Sequence, residues 1–192
     1  IDPNHITSLL EILQQAGHTI ITQEQSVRLI ATPHPRPIST SAEPYPGVPT
    51  DVQPLLSACA AITAGQSQIT DHVFPERFRY AVQLTRMGAK LSRRGSTLIV
   101  QGRRSLEGAV VDAQDLRGGA ALVLAALAGR GETIVRGLQH LDRGYEQLEC
   151  KLSALGASIH RVDAQFPSAQ KPIPPAEYTS GLPALSVATR RA

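Results

Sequence analysis

Four short polar clusters place acidic and arginine side chains directly before apolar stretches. They are "PGVPTDVQ" with Asp51, "DHVFPERF" with Arg77, "DAQDLRGGAAL" with Asp115 and Arg117, and "HLDRGYE" with Arg143. A loop that leads into a helix exposes backbone N–H groups that attract anions, and arginine binds phosphate or carboxylate through two parallel hydrogen bonds. A carboxylate among such arginines can take a proton from a hydroxyl presented to it. The clusters therefore indicate a site for an anionic substrate.

Simpler structural roles stay open for the same side chains. Asp51 and Asp115 are equally suited to cap the helices that follow them. The arginines also have acidic neighbours for surface ion pairs, each worth at most about 1 kcal/mol: Asp71 and Glu76 for Arg77, and Asp142 and Glu146 for Arg143.

Composition excludes several classes of protein and site. Hydrophobic residues make up 42% and charged residues 18%, as in soluble globular proteins, and a net charge of +3 is too small to indicate nucleic acid. No apolar run could span a bilayer and the N-terminus does not read as a signal peptide, so we predict a cytoplasmic protein without membrane or nucleic-acid partners. Zinc-ligand spacing, a P-loop and a dinucleotide fingerprint are absent, so we predict no metal and no cofactor. Cys59 and Cys150 lie in apolar helical patterns, which predicts buried, reduced thiols.

The chain repeats an amphipathic helix that ends in glycine. "LQQAGHTII", "LTRMGAKLS" and "LSALGASIH" each place Gly four residues after Leu, and the glycines are 71 and 68 residues apart. The apolar spacing predicts helices, the glycine supplies the left-handed residue that ends each one, and the residues that follow are strand-like.

A second, more apolar helix lies between these copies. "TDVQPLLSACAAITAG" and "QDLRGGAALVLAALAG" start with Asp51 and Asp115, and both are apolar nearly all round, which predicts buried helices. Gly118 and Gly119 each cost a helix roughly 1 kcal/mol relative to alanine. That cost favours close approach of a ligand or of a second helix.

Together these elements form a repeating unit of strand, buried helix, strand, amphipathic helix and strand pair. The unit spans roughly 65–70 residues, and the chain contains about two and a half units because it opens at an amphipathic helix. The predicted fold is α/β. We assign residues 1–163 to one domain and interpret 164–192, which is rich in proline and has no visible period, as a tail or linker.

The clusters, taken in order, resemble one known family. "YPGVPTDVQPLLSACAAITAGQSQIT", "VFPERF", "LTRMGA", "DAQDLRGGAALVLAALAGRGETIV" and "HLDRGYEQLECKLSALGA" are similar to the C-terminal half of the UDP-N-acetylglucosamine 1-carboxyvinyltransferases, the target of fosfomycin. The resemblance runs from about residue 2 to residue 162. It implies an inside-out α/β barrel domain built from repeated βαβαββ units, with its first strands and the enzyme's second domain absent.

The resemblance also implies an activity and two substrates. The family transfers enolpyruvyl from phosphoenolpyruvate to the 3′-hydroxyl of UDP-N-acetylglucosamine and releases phosphate, the step that opens peptidoglycan synthesis and cell-wall biogenesis. Addition forms a tetrahedral intermediate, which collapses by elimination.

Six residues of this chain match positions with roles in the family. Asp51 matches the carboxylate that contacts the sugar hydroxyl and is proposed as general base, and the backbone at Val73 matches a contact to the uridine-sugar. Arginines around the phosphoenolpyruvate anions, together with the acid beside them, match Arg77, Asp115, Arg117 and Arg143. Asp51 and Arg143 are thus the expected catalytic residues.

Other family residues lie in the half that is absent: the reactive Cys or Asp loop, an N-terminal Lys and much of the nucleotide site. Neither cysteine of this chain matches the reactive position. The chain alone is therefore expected to be inactive and to need the N-terminal half of the enzyme as its partner. Two other functions stay open: a transferase like 5-enolpyruvylshikimate-3-phosphate synthase, and a non-catalytic remnant that acts as a binding domain.

Overall fold

The computed structural model describes residues 2–163 and 183–188. A single 3₁₀ turn at Pro3–Ile6 precedes six α-helices: α1 Thr7–Gln15, α2 Gln53–Ala61, α3 Tyr80–Arg86, α4 Leu116–Leu127, α5 Leu138–Leu141 and α6 Leu148–Ala154. The ten strands of the described residues are β1 Thr19–Gln23, β2 Ser26–Ile30, β3 Ser39–Ala42, β4 Gly65–Asp71, β5 Lys90–Arg94, β6 Thr97–Gly102, β7 Val110–Asp112, β8 Glu132–Arg136, β9 Ser158–Asp163 and β10 Pro183–Ala188.

Two four-stranded sheets repeat the same topology. Their strand orders are β3-β4-β6-β5 and β7-β8-β10-β9. In each sheet the first pair is parallel and the other two pairs are antiparallel. The remaining hairpin, β1-β2, forms a two-stranded sheet beside α1. The predicted α/β repeat of about two and a half units is therefore confirmed.

Residues 183–188 correct the interpretation of 164–192 as a tail or linker. Strand β10 lies between β8 and β9 and pairs with both. It holds the place that β6 holds in the other sheet, and Ala184, Leu185, Ser186 and Val187 are almost fully buried. These six residues form a strand, although they show no sequence period, because both of their edges hydrogen-bond to strands from earlier in the chain, β8 and β9. Residues 164–182 and 189–192 of the predicted tail lie outside the described residues.

The two apolar helices lie in the interior, as predicted. Helix α2 packs on β4 and β6, α4 packs on β8 and β10, and the two helices pack on each other. Their small buried residues allow this close contact, among them Ala58, Ala61, Ala121 and Ala125. Sheets thus form the outside of the domain and helices its centre.

Glycine ends the three amphipathic helices, also as predicted. Gly17, Gly88 and Gly156 have φ angles of 99°, 86° and 96°, a region that L side chains rarely adopt. Gly119 has a different role, because a Cβ there would meet Leu141 of α5 at 3.1 Å. The apolar helix therefore uses this glycine for close approach of a second helix.

The prediction of buried thiols is wrong for both cysteines, whose side chains are exposed. Cys59 lies on the side of α2 that faces an open groove against α1, and Cys150 lies on an exposed part of α6. Desolvation by the protein atoms around Cys59 nevertheless raises the pKa of its thiol above the ordinary value.

A buried polar network ties the start of α2 to the start of α3. The Tyr80 hydroxyl accepts from Gln53 Nε2 at 2.8 Å and lies 2.8 Å from Ser57 Oγ. The Ser57 hydroxyl lies 3.1 Å from the Gln53 carbonyl, to which it donates. One consistent direction follows: Gln53 donates to Tyr80, Tyr80 to Ser57, and Ser57 to the backbone. All three side chains are buried, and burial raises the pKa of Tyr80.

None of the described helices is both long enough and apolar enough to cross a membrane.

Strand β10 generates the first prediction. Leu185 is 1% exposed, so Leu185→Ala should lower the free energy of unfolding by about 2–5 kcal/mol, as truncation in a packed core does. Leu155, which is 85% exposed, is the matched control, and Leu155→Ala should change stability by less than about 0.5 kcal/mol. Urea denaturation of the 192-residue chain measures both. Equal behaviour of the two variants would contradict the placement of β10.

The Tyr80 network generates the second prediction. Tyr80→Phe removes the acceptor of the buried Gln53 amide, and an unsatisfied buried donor costs about 1–3 kcal/mol. Tyr45→Phe is the control, because the Tyr45 side chain is exposed. A thermal shift of Tyr80→Phe no larger than that of Tyr45→Phe would mean that the network adds no stability.

Candidate active site

The starts of the two buried helices bring Asp51 and Arg117 together. Asp51 lies in the turn before α2, and Arg117 is the second residue of α4. Arg117 Nη2 donates to Asp51 Oδ2 at 2.7 Å, and Arg117 Nε donates to Oδ1. This is the two-point geometry in which a guanidinium binds a carboxylate most strongly. The pair joins positions 66 residues apart in sequence.

Arg77 adds a second guanidinium to the same carboxylate. Its Nη1 donates to Asp51 Oδ1 at 2.8 Å and to Thr50 Oγ1 at 3.1 Å. The guanidinium also lies over the Phe74 ring, with its central carbon 4.2 Å from the ring centroid. The predicted alternative of an ion pair between Arg77 and Glu76 or Asp71 is wrong, because Glu76 pairs with Arg93 and Asp71 binds other donors.

These contacts decide the charge state of the carboxylate. The hydrogen bonds from Arg117, opposed in part by desolvation and supported by Arg77, lower the pKa of Asp51 below its ordinary value. The same contact raises the pKa of Arg117. Both side chains remain accessible, with 52% of the Asp51 side chain and 34% of the Arg117 side chain exposed. Asp51 is therefore a charged carboxylate that water and ligands can reach.

The two aspartates that the sequence predicts as caps behave differently. Asp115 is the N-cap of α4, and its Oδ1 accepts from the backbone N–H groups of Arg117 at 3.0 Å and Gly118 at 2.8 Å. Asp51 makes no cap bond to α2. The backbone N–H groups of Arg117 and Gly118 are thus satisfied by Asp115 and are not open to an external anion.

Asp71, at the end of β4, supports the site from below. It is fully buried, accepts from Thr50 Oγ1 at 2.6 Å, and accepts from the backbone N–H groups of Val73 at 2.9 Å and Phe74 at 2.7 Å. One carboxylate therefore fixes both the threonine that holds Arg77 and the loop that carries Val73. From the sequence, Asp71 was expected only as a possible ion-pair partner of Arg77. Its position at the end of a strand is typical of an Asp that closes a turn on the backbone two residues later.

Arg143 makes no hydrogen bond or ion pair with this group. It is exposed, directly after α5, and it makes no hydrogen bond or ion pair with the residues that the structure describes. Both predicted ion-pair alternatives are wrong, because Asp142 binds Arg161 and Glu146 binds Lys151. The next residue, Gly144, packs on Leu116, where a Cβ would meet Leu116 Cδ2 at 2.8 Å. The backbone next to Arg143 therefore packs on Leu116 of α4, and the Arg143 guanidinium is unpaired among the described residues.

Of the six predicted site residues, the structure brings Asp51, Arg77 and Arg117 into direct contact. Asp115 caps the helix that carries Arg117, Val73 lies in the loop that Asp71 holds, and Arg143 makes no hydrogen bond or ion pair with the other five. Within residues 2–163 and 183–188, no group of three His, Cys, Asp or Glu side chains could hold a metal ion.

Most of this chain is similar in sequence to known carboxyvinyltransferases. Residues 1–152 match the family model described as EPSP synthase (3-phosphoshikimate 1-carboxyvinyltransferase). A relative from Thermus thermophilus, named UDP-N-acetylglucosamine 1-carboxyvinyltransferase, is 46% identical over 160 residues, which is 83% of this chain and 37% of the relative. A relative of the same name from Koribacter versatilis is 43% identical over 172 residues, 90% of this chain and 40% of the relative.

Solved structures agree on the fold. The enolpyruvyl transferase NikO from Streptomyces tendae superposes with a TM-score of 0.72 at 32% identity, over 79% of this chain and 35% of that protein. The EPSP synthase from Acinetobacter baumannii superposes with a TM-score of 0.60 at 17% identity, over 96% of this chain and 39% of that protein, which supports the fold alone.

This chain spans only 37–40% of the length of these curated relatives. Because the family model covers residues 1–152 of the 192, the chain belongs to the EPSP synthase (3-phosphoshikimate 1-carboxyvinyltransferase) family.

Proposed function

We propose that this chain is the C-terminal domain part of a UDP-N-acetylglucosamine 1-carboxyvinyltransferase. The complete enzyme would transfer enolpyruvyl from phosphoenolpyruvate to the 3′-hydroxyl of UDP-N-acetylglucosamine and release phosphate, as a step of peptidoglycan synthesis. The observation that carries the proposal is the contact of the Asp51 carboxylate with the guanidinium groups of Arg77 and Arg117. The names of the relatives at 43–46% identity support the choice of substrate.

The proposed substrate explains the excess of guanidinium groups. Phosphoenolpyruvate carries a carboxylate and a phosphate, and the reaction moves negative charge onto the departing phosphate. Fixed guanidiniums stabilise such charge best, because the site donates to it without reorganising. Arg77 and Arg117 are held by α4, Thr50 and the Phe74 ring, which gives them that fixed placement.

Asp51 is the proposed general base. In the addition step the sugar hydroxyl oxygen bonds to C2 of phosphoenolpyruvate, the hydroxyl proton goes to the carboxylate, and C3 gains a proton from a donor. In the elimination step the C2–O bond to phosphate breaks, C3 loses a proton, and the enol ether forms. Asp51 suits the first transfer because it is ionised and its oxygen atoms are accessible to a substrate hydroxyl.

The other three site residues have supporting roles in this proposal. Asp115 caps α4 and so orients Arg117. The backbone at Val73, in a loop held by Asp71, would contact the uridine-sugar substrate. Arg143 is the cation that would reach the phosphoenolpyruvate anions from the edge of the site. No metal and no cofactor enter the proposal, and the cytoplasmic location stays a prediction.

The chain alone lacks the rest of the relatives' length, so its activity must be tested with that part present. This 192-residue chain, mixed with a separately expressed N-terminal segment of the Thermus thermophilus relative, should release phosphate from phosphoenolpyruvate only when UDP-N-acetylglucosamine is added. Phosphate release that requires shikimate 3-phosphate instead would assign the alternative transferase. Two folded, associated partners that release no phosphate with either acceptor would leave the non-catalytic binding domain as the better interpretation.

Arg143 provides a sharper test of the site within the complemented enzyme. Arg143→Ala should lower kcat/KM by at least about 100-fold, roughly 2.7 kcal/mol, because it removes a charge from the site of the phosphoenolpyruvate anions. The control is Arg94→Ala, which removes an exposed arginine from the end of β5 and should leave kcat/KM unchanged within about twofold. Equal activity of the two variants would show that Arg143 has no role in the reaction.

A further inference from the structure

The carboxylate of Asp51 occupies the hydrogen-bond donors that an anionic substrate would use. Arg117 offers it Nε and Nη2, and Arg77 offers it Nη1. A substrate carboxylate or phosphate that bound between the two arginines, on the Nε–Nη2 fork of Arg117 and on Nη1 of Arg77, would need these same N–H groups. Asp51 and the substrate anion therefore compete for one place.

We propose that Asp51 is a built-in placeholder: the substrate anion replaces it on Arg117 and Arg77, and this exchange releases the Asp51 carboxylate to the hydroxyl substrate. The inference rests on the proposed function for the identity of the two substrates. Its structural content, that an external anion and Asp51 exchange on the same guanidiniums, can be tested without any reaction.

Exchange requires that Asp51 is held weakly enough to leave. It is the most exposed partner of its group and makes no cap bond to α2, so water can solvate the carboxylate once another anion takes its place on the guanidiniums. Two other aspartates show the contrast. Asp115 is held by two backbone N–H groups, and Asp112 is buried between Arg86 and Arg136.

Exchange also requires that the arginines stay in place when Asp51 leaves. Arg77 keeps its bond to Thr50 Oγ1 and its position over Phe74, and Thr50 is itself bound to the buried Asp71. Arg117 lies in the first turn of α4, whose start is fixed by the Asp115 cap. The guanidiniums therefore form a site that persists with either occupant.

The exchange would also set the order of events at the site. While Asp51 accepts from Arg117, its pKa is lowered and it is a weak proton acceptor. After an anion has taken the guanidiniums, those contacts no longer lower the pKa, and the negative charge of the anion raises it further. The carboxylate thus becomes an effective base only once the anion is bound.

The test is anion binding to the 192-residue chain with sulfate as the probe, because sulfate stays a dianion across neutral pH. Titration calorimetry gives the affinity, and the Nε–H resonances of Arg117 and Arg77 report whether these side chains are the ones that respond. Asp51→Asn removes the internal competitor and should bind sulfate at least about fivefold more tightly than the unmodified chain. Arg117→Gln should bind more weakly than both.

Asp115→Asn is the matched control, because it removes one negative charge next to Arg117 while asparagine still caps α4. If loss of any nearby negative charge explained the gain, Asp115→Asn would match Asp51→Asn, and the exchange would be refuted. Sulfate affinity in Asp51→Asn that is equal to or weaker than that of the unmodified chain would refute it as well, as would the absence of sulfate binding in all four proteins. Tight sulfate binding by Asp51→Asn would support the exchange even if the unmodified chain, complemented with the N-terminal segment, transferred no enolpyruvyl. That combination would contradict the proposed transfer only.

Discussion

The close packing of α2 on α4 is the constraint on which the rest of the site depends. Small buried alanines of both helices let them approach within the core, and each helix packs on its own sheet. Because the helices start side by side, the turn before α2 meets the first turn of α4. Asp51 and Arg117 are neighbours in space for this reason alone, although 66 residues separate them in the chain. A repeated unit has thus produced a site by placing two equivalent helix starts together.

Burial decides what each aspartate near this junction does. Asp71 is fully buried and spends its oxygen atoms on Thr50 and two backbone N–H groups. Asp115 is half-buried and caps α4. Asp51 alone among these three combines an exposed side chain with two guanidinium partners, so an external anion can reach the same guanidiniums. The same residue type therefore binds the backbone at two positions and is an accessible ion-pair partner at the third.

The sequence was sufficient for the features that are set locally. The repeat of Leu and Gly predicted Gly17, Gly88 and Gly156 in left-handed conformation, because helix termination depends on a few adjacent residues. Uniform apolarity predicted that α2 and α4 are buried.

Features set by distant contacts could not be predicted in this way. Strand β10 has no periodic pattern of its own, and its place depends on edges offered by β8 and β9. The sequence allowed Asp51 to be either a helix cap or a site residue. The structure shows that Asp51 binds Arg117, which lies on another helix. The exposure of Cys59 likewise depends on which neighbour covers α2, which helical periodicity does not specify.

Arg143 is unpaired among the described residues because the acids close to it in sequence form ion pairs with other residues. The two acids that flank it in sequence are Asp142 and Glu146. Arg161 of β9 binds Asp142 through two bonds of 2.8 and 3.1 Å and also binds Glu149, which lowers the pKa of both carboxyl groups. Lys151 binds Glu146. The acids that flank Arg143 in sequence thus have other partners, while Gly144 packs on Leu116 of α4 and fixes the backbone there. An arginine that flanking acids do not pair with can attract an anion, which is why the proposed role of Arg143 depends on ion pairs that do not include it.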